Sequence, residues 1–350
     1  MEFEFARGRK LIRELVGREY TAAVLRVEIG GGVACEVACG AVDDCGGAPI
    51  DPTTRFDLAS LTKLFVATRA LELAAGGAFA LDAPLVDFVP EWCGTPHAAI
   101  TLRHLLAHTA GMRSGADYRS LFDEDLERFA LTLPLIAPVG ERVVYSDLGF
   151  IALGIVLARI ERRSLSSGVG ATACRIGARE IGFRPPARES PTIPATEADG
   201  WRGRIRGTVH DEKAALLNGV AGHAGLFGTA RDVAQVAEVY LGAIGGRSGP
   251  LDRALARAAI TEQASDPILR RGLGWALKTS DENSCGALAS RETFGHTGFT
   301  GTSVWADPLC DCSIVLLTNA VYYGRRDLRP WRSAIHDAIL TEVRPCASSV

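Results

Sequence analysis

The chain has no long basic run, and a formal net charge of −3 over 350 residues argues against a polyanion-binding surface, so no nucleic-acid partner is expected. No stretch approaches the ~20 consecutive apolar residues that span a bilayer, so no membrane partner is expected either. The opening residues, MEFEFARGRKLIRELVGREY, alternate in charge and hold no apolar core of signal-peptide length. They predict a surface helix with Leu11, Ile12, Leu15 and Val16 turned inward, in a cytoplasmic protein. The nine cysteines include no CxxC pair and no cysteine–histidine cluster at zinc-ligand spacing, so no metal is expected. An odd number cannot pair completely, and all are expected to be reduced. Cys35 sits in an apolar strand as a small hydrophobe, Cys310 and Cys312 flank Asp311 in a hairpin turn, and Cys346 lies near the end. Internal repeats and low-complexity segments are also missing.

At 47% hydrophobic and 23% charged, the 350 residues can bury a substantial core as one large domain or two intimately packed ones. Residues 21–29 and 33–42 are β-branched, apolar runs separated by Gly30-Gly31-Gly32, a hairpin pattern. After the Asp51-Pro52 loop, Leu64, Phe65, Ala67, Leu71 and Ala74 recur at helical spacing, predicting an amphipathic helix from Ser60 to about Ala75, stopped by Gly76-Gly77. Pro84, Pro90 and Pro96 mark a winding connection. Helices are predicted after Thr101, from Leu148 to Ile160, from Leu165 to Ile181, after Thr229 and from Trp331 to Val343. Residues 183–210 read as a long irregular segment. Strands return at 273–278, near 291–296, at 302–307 and at 313–319. Strands at both ends with helices between predict one sheet completed by distant parts of the chain.

Ser60-Leu61-Thr62-Lys63 stands at the start of the predicted 60–75 helix. One helical turn separates Ser60 from Lys63, which brings an amine to the hydroxyl, and the helix start supplies free N–H groups and a positive dipole end. A serine becomes a useful nucleophile when a neighbouring base removes its proton, and a lysine of lowered pKa can do that. Alone, the same spacing also describes an N-cap serine followed by a solvated lysine.

Two later stretches complete a pattern: Tyr145-Ser146-Asp147, opening an apolar helix, and His296-Thr297-Gly298, just before Phe299-Thr300-Gly301. In order and context these resemble the serine β-lactamase and penicillin-binding-protein superfamily, in its class C β-lactamase, DD-peptidase and esterase branch, with elements S-x-x-K, Y-x-N and K-T-G. Residues 100–112, 138–154, 219–237 and 294–308 are similar to typical stretches of that family. The resemblance implies an α+β fold, an α/β sandwich plus an all-helical region. A central antiparallel sheet would be flanked by the N- and C-terminal helices. The sheet domain would comprise residues 1–85 and 225–350, the helical domain residues 86–224, and the site would lie in the groove between them. It implies that Ser60 attacks a carbonyl to give an acyl-enzyme, with Lys63 and Tyr145 sharing the work of general base; which of the two holds the proton is open. The N–H groups of Ser60 and Phe299 would form the oxyanion hole, the latter on an exposed strand edge. Asp147, His296, Thr297 and Gly298 would contact substrate, with no cofactor.

Two residues depart from that pattern. Asp147 replaces an asparagine and cannot donate to a substrate carbonyl. His296 replaces a lysine and, with an ordinary pKa near 6.5, supplies no fixed charge at neutral pH. Both favour a hydrolase of small-molecule esters or amides; the alternatives are a transacylase with an amine or alcohol acceptor, a β-lactamase or DD-peptidase, and a non-catalytic binding protein. His104 and His108 share a helix without the glutamate of H-E-x-x-H and read as structural. His223 reads as a hydrogen-bonded structural histidine. His210-Asp211-Glu212 either lines the pocket or simply opens a helix with acidic charge. Trp201, Arg202, Arg204 and Arg206 either bind an acidic group or form a surface loop.

Overall fold

The computed structural model describes residues 3–115, 117–266 and 270–347. Its centre is an eight-stranded antiparallel sheet running Gly32–Gly40, Ala22–Ile29, Cys312–Thr318, Ser303–Asp307, Phe294–Thr297, Ala276–Leu277, Arg270–Arg271 and Ala264–Ser265. The first hairpin turns on Gly30 and Gly31, both at positive φ (60° and 78°), the conformation that a two-residue connection demands.

Both faces of the sheet are covered, so its long central strands bury apolar side chains on both, and Arg26 and Glu28 are buried there as an ion pair. Val24, Val304, Val315 and Leu317 face one core, shared with the helices Thr62–Ala75 and Ala230–Ile244. Their neighbours Leu25, Val27, Ile314 and Leu316 face another, closed by Ile12 of Ala6–Glu14 and by Ile335 and Ile339 of Arg329–Ala347. Helices Leu102–Leu106, Leu126–Thr132, Asp147–Glu161 and Leu165–Arg175 fall in the middle of the chain, and Arg253–Ala259 follows Ala230–Ile244. Among the described residues, no helix is long and apolar enough to cross a membrane.

The 60–75 helix departs from expectation. It begins at Thr62, after a 3₁₀ turn over Ala59–Leu61 that carries Ser60. Every residue from Thr62 to Leu71 is buried, so the helix is a central rod rather than an amphipathic surface element. Its polar side chains therefore find partners inside: Thr68 meets the Tyr240 hydroxyl at 2.9 Å, and Arg69 pairs with Glu72 and Glu161. The helix predicted to Ile181 ends at Arg175, and the strand predicted over 273–278 contracts to Ala276–Leu277. Eight cysteines are free thiols, with Cys35 and Cys312 buried; the side chain of Cys346 lies outside those described.

The irregular 183–210 segment is fastened by Asn319, a buried residue at the end of the Cys312–Thr318 strand. Its amide oxygen accepts from the N–H groups of Thr21 (3.1 Å) and Ala22 (3.0 Å), and its nitrogen donates to Thr21 Oγ1 (2.8 Å) and the Ala195 carbonyl (2.7 Å). One side chain thus joins two strands and the loop. Because replacing it strands buried backbone groups, Asn319→Leu is expected to cost about 2–4 kcal/mol in urea unfolding. A loss below ~0.5 kcal/mol would show that water or rearrangement satisfies those groups.

Candidate active site

Ser60 owes its position to strain held in place by a buried carboxylate. Ala59 has φ 45°, a left-handed conformation costly for a residue with a Cβ. Asp57 accepts hydrogen bonds from the Ala59 N–H (2.8 Å) and from the His210 N–H (2.6 Å), which hold the turn. A second turn, over 298–302, is fastened to the first: Thr300 and Thr302 hydroxyls donate to the carbonyls of Asp57 (2.8 Å) and Leu58 (3.1 Å). The approach is so close that a Cβ on Gly298 would lie 2.1 Å from Thr302 Oγ1 and 2.6 Å from the Leu58 oxygen. The buried guanidinium of Arg332 closes the turn from behind, donating to the carbonyls of Gly298 (3.1 Å) and Thr302 (3.0 Å). Phe299 lies in the turn just past the Phe294–Thr297 strand, which pairs with Ala276–Leu277 only at Phe294 and Gly295. The half-exposed ring of Phe299 stacks on His210 with centroids 5.7 Å apart.

The three remote segments meet. Lys63 Nζ lies 2.9 Å from Ser60 Oγ, and the Tyr145 hydroxyl donates to the same Oγ at 3.0 Å. Lys63 is fully buried, and its other partners are Asp147 Oδ1 (2.9 Å) and the His223 carbonyl (3.2 Å). Burial opposes the ammonium, but Asp147 and Tyr145 outweigh it and hold Lys63 above its ordinary pKa. Burial likewise opposes the Asp147 carboxylate, and Lys63 and Lys213 keep it below the usual range. The two form an ion pair rather than a neutral couple. Tyr145 stands just before the helix Asp147–Glu161, where Ser146 caps the first turn and donates its own N–H to His108 Nδ1 at 3.1 Å. The His108 ring then packs on Tyr145, centroids 4.6 Å apart.

His296, Thr297 and Gly298 line the same cavity of about 700 Å³ as Ser60, Tyr145 and Asp147. His296 is buried, and desolvation with the nearby charges of Lys63 and Arg271 lowers its pKa to about 3, so the ring is neutral. Its Nδ1 lies 2.8 Å from the Thr297 carbonyl, which can only accept, so the proton sits on Nδ1 and Nε2 is left as an acceptor. Where the expected pattern supplies a cation, this chain supplies a lone pair.

His210, Asp211 and Glu212 do line the cavity, together with Lys213, which sequence reasoning missed. Asp147, Asp211 and His223 bring ligand-type atoms within 4.8 Å of one another. A metal ion would compete there with two ammonium groups: Lys63 is on Asp147, and Lys213 stands 3.5 Å from Asp147 and 3.2 Å from Asp211. His223 Nε2 is bonded to Asp211 at 2.8 Å. His104 serves instead in the capping box of Thr101. The basic loop turns its charges elsewhere: Arg202 binds Asp199 and the Val209 carbonyl, Arg204 covers the Tyr322 ring, and Arg206 pairs with Asp43. Asp57, Arg271 and Arg332 were also missed. Asp57 stands three residues before Ser60 but also binds the distant His210 N–H, Arg332 reaches the 298–302 turn from the C-terminal helix, and strand pairing brings Arg271 in.

A serine, a lysine and a tyrosine converging beside an antiparallel sheet closed by its terminal helices define a β-lactamase/transpeptidase-like fold. The Beta-lactamase family profile matches residues 9–338, and the chain belongs to that family of serine hydrolases. Esterase EstB of Burkholderia gladioli is 30% identical, with 92% of this chain and 91% of that one covered. An Escherichia coli (strain K12) protein, provisionally named a D-alanyl-D-alanine carboxypeptidase, is 30% identical over 77% of this chain and 70% of its own. Among solved structures, EstCE1, described as a hydrolase with promiscuous acyltransferase activity, superposes with a TM-score of 0.78 at 23% identity, covering 96% of this chain and 98% of that one.

The ion pair sets a stability prediction. Asp147→Ala leaves the Lys63 charge buried without its partner and should cost about 3–5 kcal/mol at pH 7. The folded-state pKa of Asp147 is depressed, so its contribution is complete above the ordinary carboxylate range and lost as pH falls through the folded value. The deficit relative to wild type, measured by urea unfolding, should therefore narrow between pH 7 and pH 3. An equal deficit at both pH values would contradict the pairing.

Proposed function

We propose that the chain hydrolyses an ester or amide of a small molecule through an acyl-enzyme on Ser60, in a groove between a sheet domain (residues 1–85 and 225–350) and a helical domain (86–224). The observation that carries this reading is the pair of contacts to Ser60 Oγ, 2.9 Å from Lys63 Nζ and 3.0 Å from the Tyr145 hydroxyl. Lys63 is held as an ammonium by Asp147, so in this reading its charge orients Ser60 while Tyr145, as phenolate, takes the Ser60 proton. The Ser60 oxygen adds to the substrate carbonyl, and the N–H groups of Ser60 and Phe299 receive the developing oxyanion. The C–O or C–N bond then breaks, with the proton passing from Tyr145 to the leaving group. Water repeats the sequence on the acyl-enzyme and releases the acid.

The site's departures favour esters over β-lactams. With His296 neutral and Asp147 engaged by two ammonium groups, neither supplies the cation or the amide donor that the family pattern places there. The similarity to esterase EstB over nearly the whole of both chains points the same way. Transfer of the acyl group to an amine or alcohol uses the same first half-reaction.

A p-nitrophenyl ester should be hydrolysed with free acid as the main product even when an amine is added, and a chromogenic cephalosporin should be turned over poorly. Lys63→Ala and Tyr145→Phe should each lower acylation by at least ~100-fold, the usual scale for lost proton-transfer assistance. Near-wild-type acylation in both variants would end the proposed roles; a predominant amide product would make the chain a transacylase.

A further inference from the structure

Two arginines stand side by side in the Arg270–Arg271 strand, and strand alternation sends them to opposite faces. Arg270 is bound to Glu262 at 2.7 Å. Arg271 is buried and lines the catalytic cavity, with its guanidinium carbon 5.1 Å from the centroid of the Tyr145 ring. Among the described residues no carboxylate is paired with it, and its Nε has no hydrogen-bond partner. A buried guanidinium in that condition is costly, so its position calls for a use.

The charges around Tyr145 point to one. Lys63 lies 4.9 Å from the ring centroid, but its charge is matched by Asp147. Lys213 and His223 are turned onto Asp211. The two imidazoles against the ring, His108 and His296, are buried, and desolvation holds both in the neutral form. Arg271 is then the cation at the ring with which, among the described residues, no carboxylate forms an ion pair. Desolvation lowers its pKa, the charges of Tyr145 and Asp266 oppose that, and a guanidinium keeps its proton under any physiological condition.

We propose that Arg271 is a positioning residue that favours the phenolate form of Tyr145, adding to the field of the Lys63 ammonium, whose charge Asp147 offsets. The inference rests on the reading of Tyr145 as proton acceptor, but its first test does not require turnover. Tyrosinate absorbance is followed through an alkaline titration, and the Tyr145 signal is isolated by subtracting the Tyr145→Phe variant. In Arg271→Met the midpoint of that signal should rise by about 1–2 pH units, the scale of one unit charge near 5 Å at intermediate dielectric, and in Arg271→Lys by much less. The second readout is the pH profile of acylation by p-nitrophenyl acetate, a neutral ester. Arg271→Met should lose about 10–100-fold at pH 7, recover toward wild type at high pH, and be rescued largely by lysine. An unchanged Tyr145 midpoint, or a rate loss equal at every pH, would overturn the proposal, as would a loss confined to anionic esters, which would make Arg271 a substrate anchor. If Ser60→Ala stayed active while the titration shift held, the hydrolase mechanism would fall and the coupling of Arg271 to Tyr145 would stand.

Discussion

The whole site depends on one ammonium group that has no access to water. Lys63 is fully buried in the central helix, and its three hydrogen-bond positions are taken by the Ser60 hydroxyl, the Asp147 carboxylate and the His223 carbonyl. A charge of this kind is tolerated in a protein interior only when paired and saturated with hydrogen bonds. The requirement ties together three parts of the chain that share no sequence proximity: the 3₁₀ turn before the central helix, the N-terminus of Asp147–Glu161, and the glycine-rich stretch through His223. Helix Asp147–Glu161 presents its positive end to Asp147, which strengthens the carboxylate that Lys63 needs. Packing and electrostatics therefore enforce the same arrangement.

Charge at this site is arranged in matched pairs rather than spread evenly. Lys63, Asp147, Lys213 and Asp211 form an alternating row beside the cavity, and Asp211 is also bonded to His223 Nε2. The aspartate at position 147, where the family pattern has asparagine, makes that row possible. The histidine at position 296 leaves the adjoining strand uncharged, because its Nδ1 proton is committed to the Thr297 carbonyl. A pocket wall that accepts hydrogen bonds at this point selects differently from one that carries a fixed cation. In the proposed reading, these two substitutions move a shared acyl-transfer scaffold toward neutral esters.

Much of this was legible in the residues themselves. Runs of apolar residues marked the sheet, Gly30-Gly31 marked its first hairpin, and the first two spaced motifs marked side chains that the structure brings within hydrogen-bonding reach, the third lining the same cavity. The misjudged elements share a cause. The central helix was read as amphipathic because periodicity treats Lys63, Thr68 and Arg69 as solvent-facing, whereas each is buried against a specific partner. The strand over 273–278 shortened because Gly274 adopts a φ of 83° and departs from extended geometry. Asp57 also accepts from the His210 N–H, 153 residues on, and Arg332 reaches back 34 and 30 residues to the Gly298 and Thr302 carbonyls, and no local spacing encodes such contacts. Arg270 and Arg271 are adjacent in sequence, and only strand alternation separates the one paired with Glu262 from the one lining the cavity.

The central claim is that Ser60 carries the acyl group, and the most direct measurement is the mass of the protein caught during turnover of a p-nitrophenyl ester. After rapid acid quenching, the wild-type protein should gain the mass of one acyl group on the peptide containing Ser60, and Ser60→Ala should gain none and show no turnover. Acylation on another residue, or continued turnover by Ser60→Ala, would contradict the account.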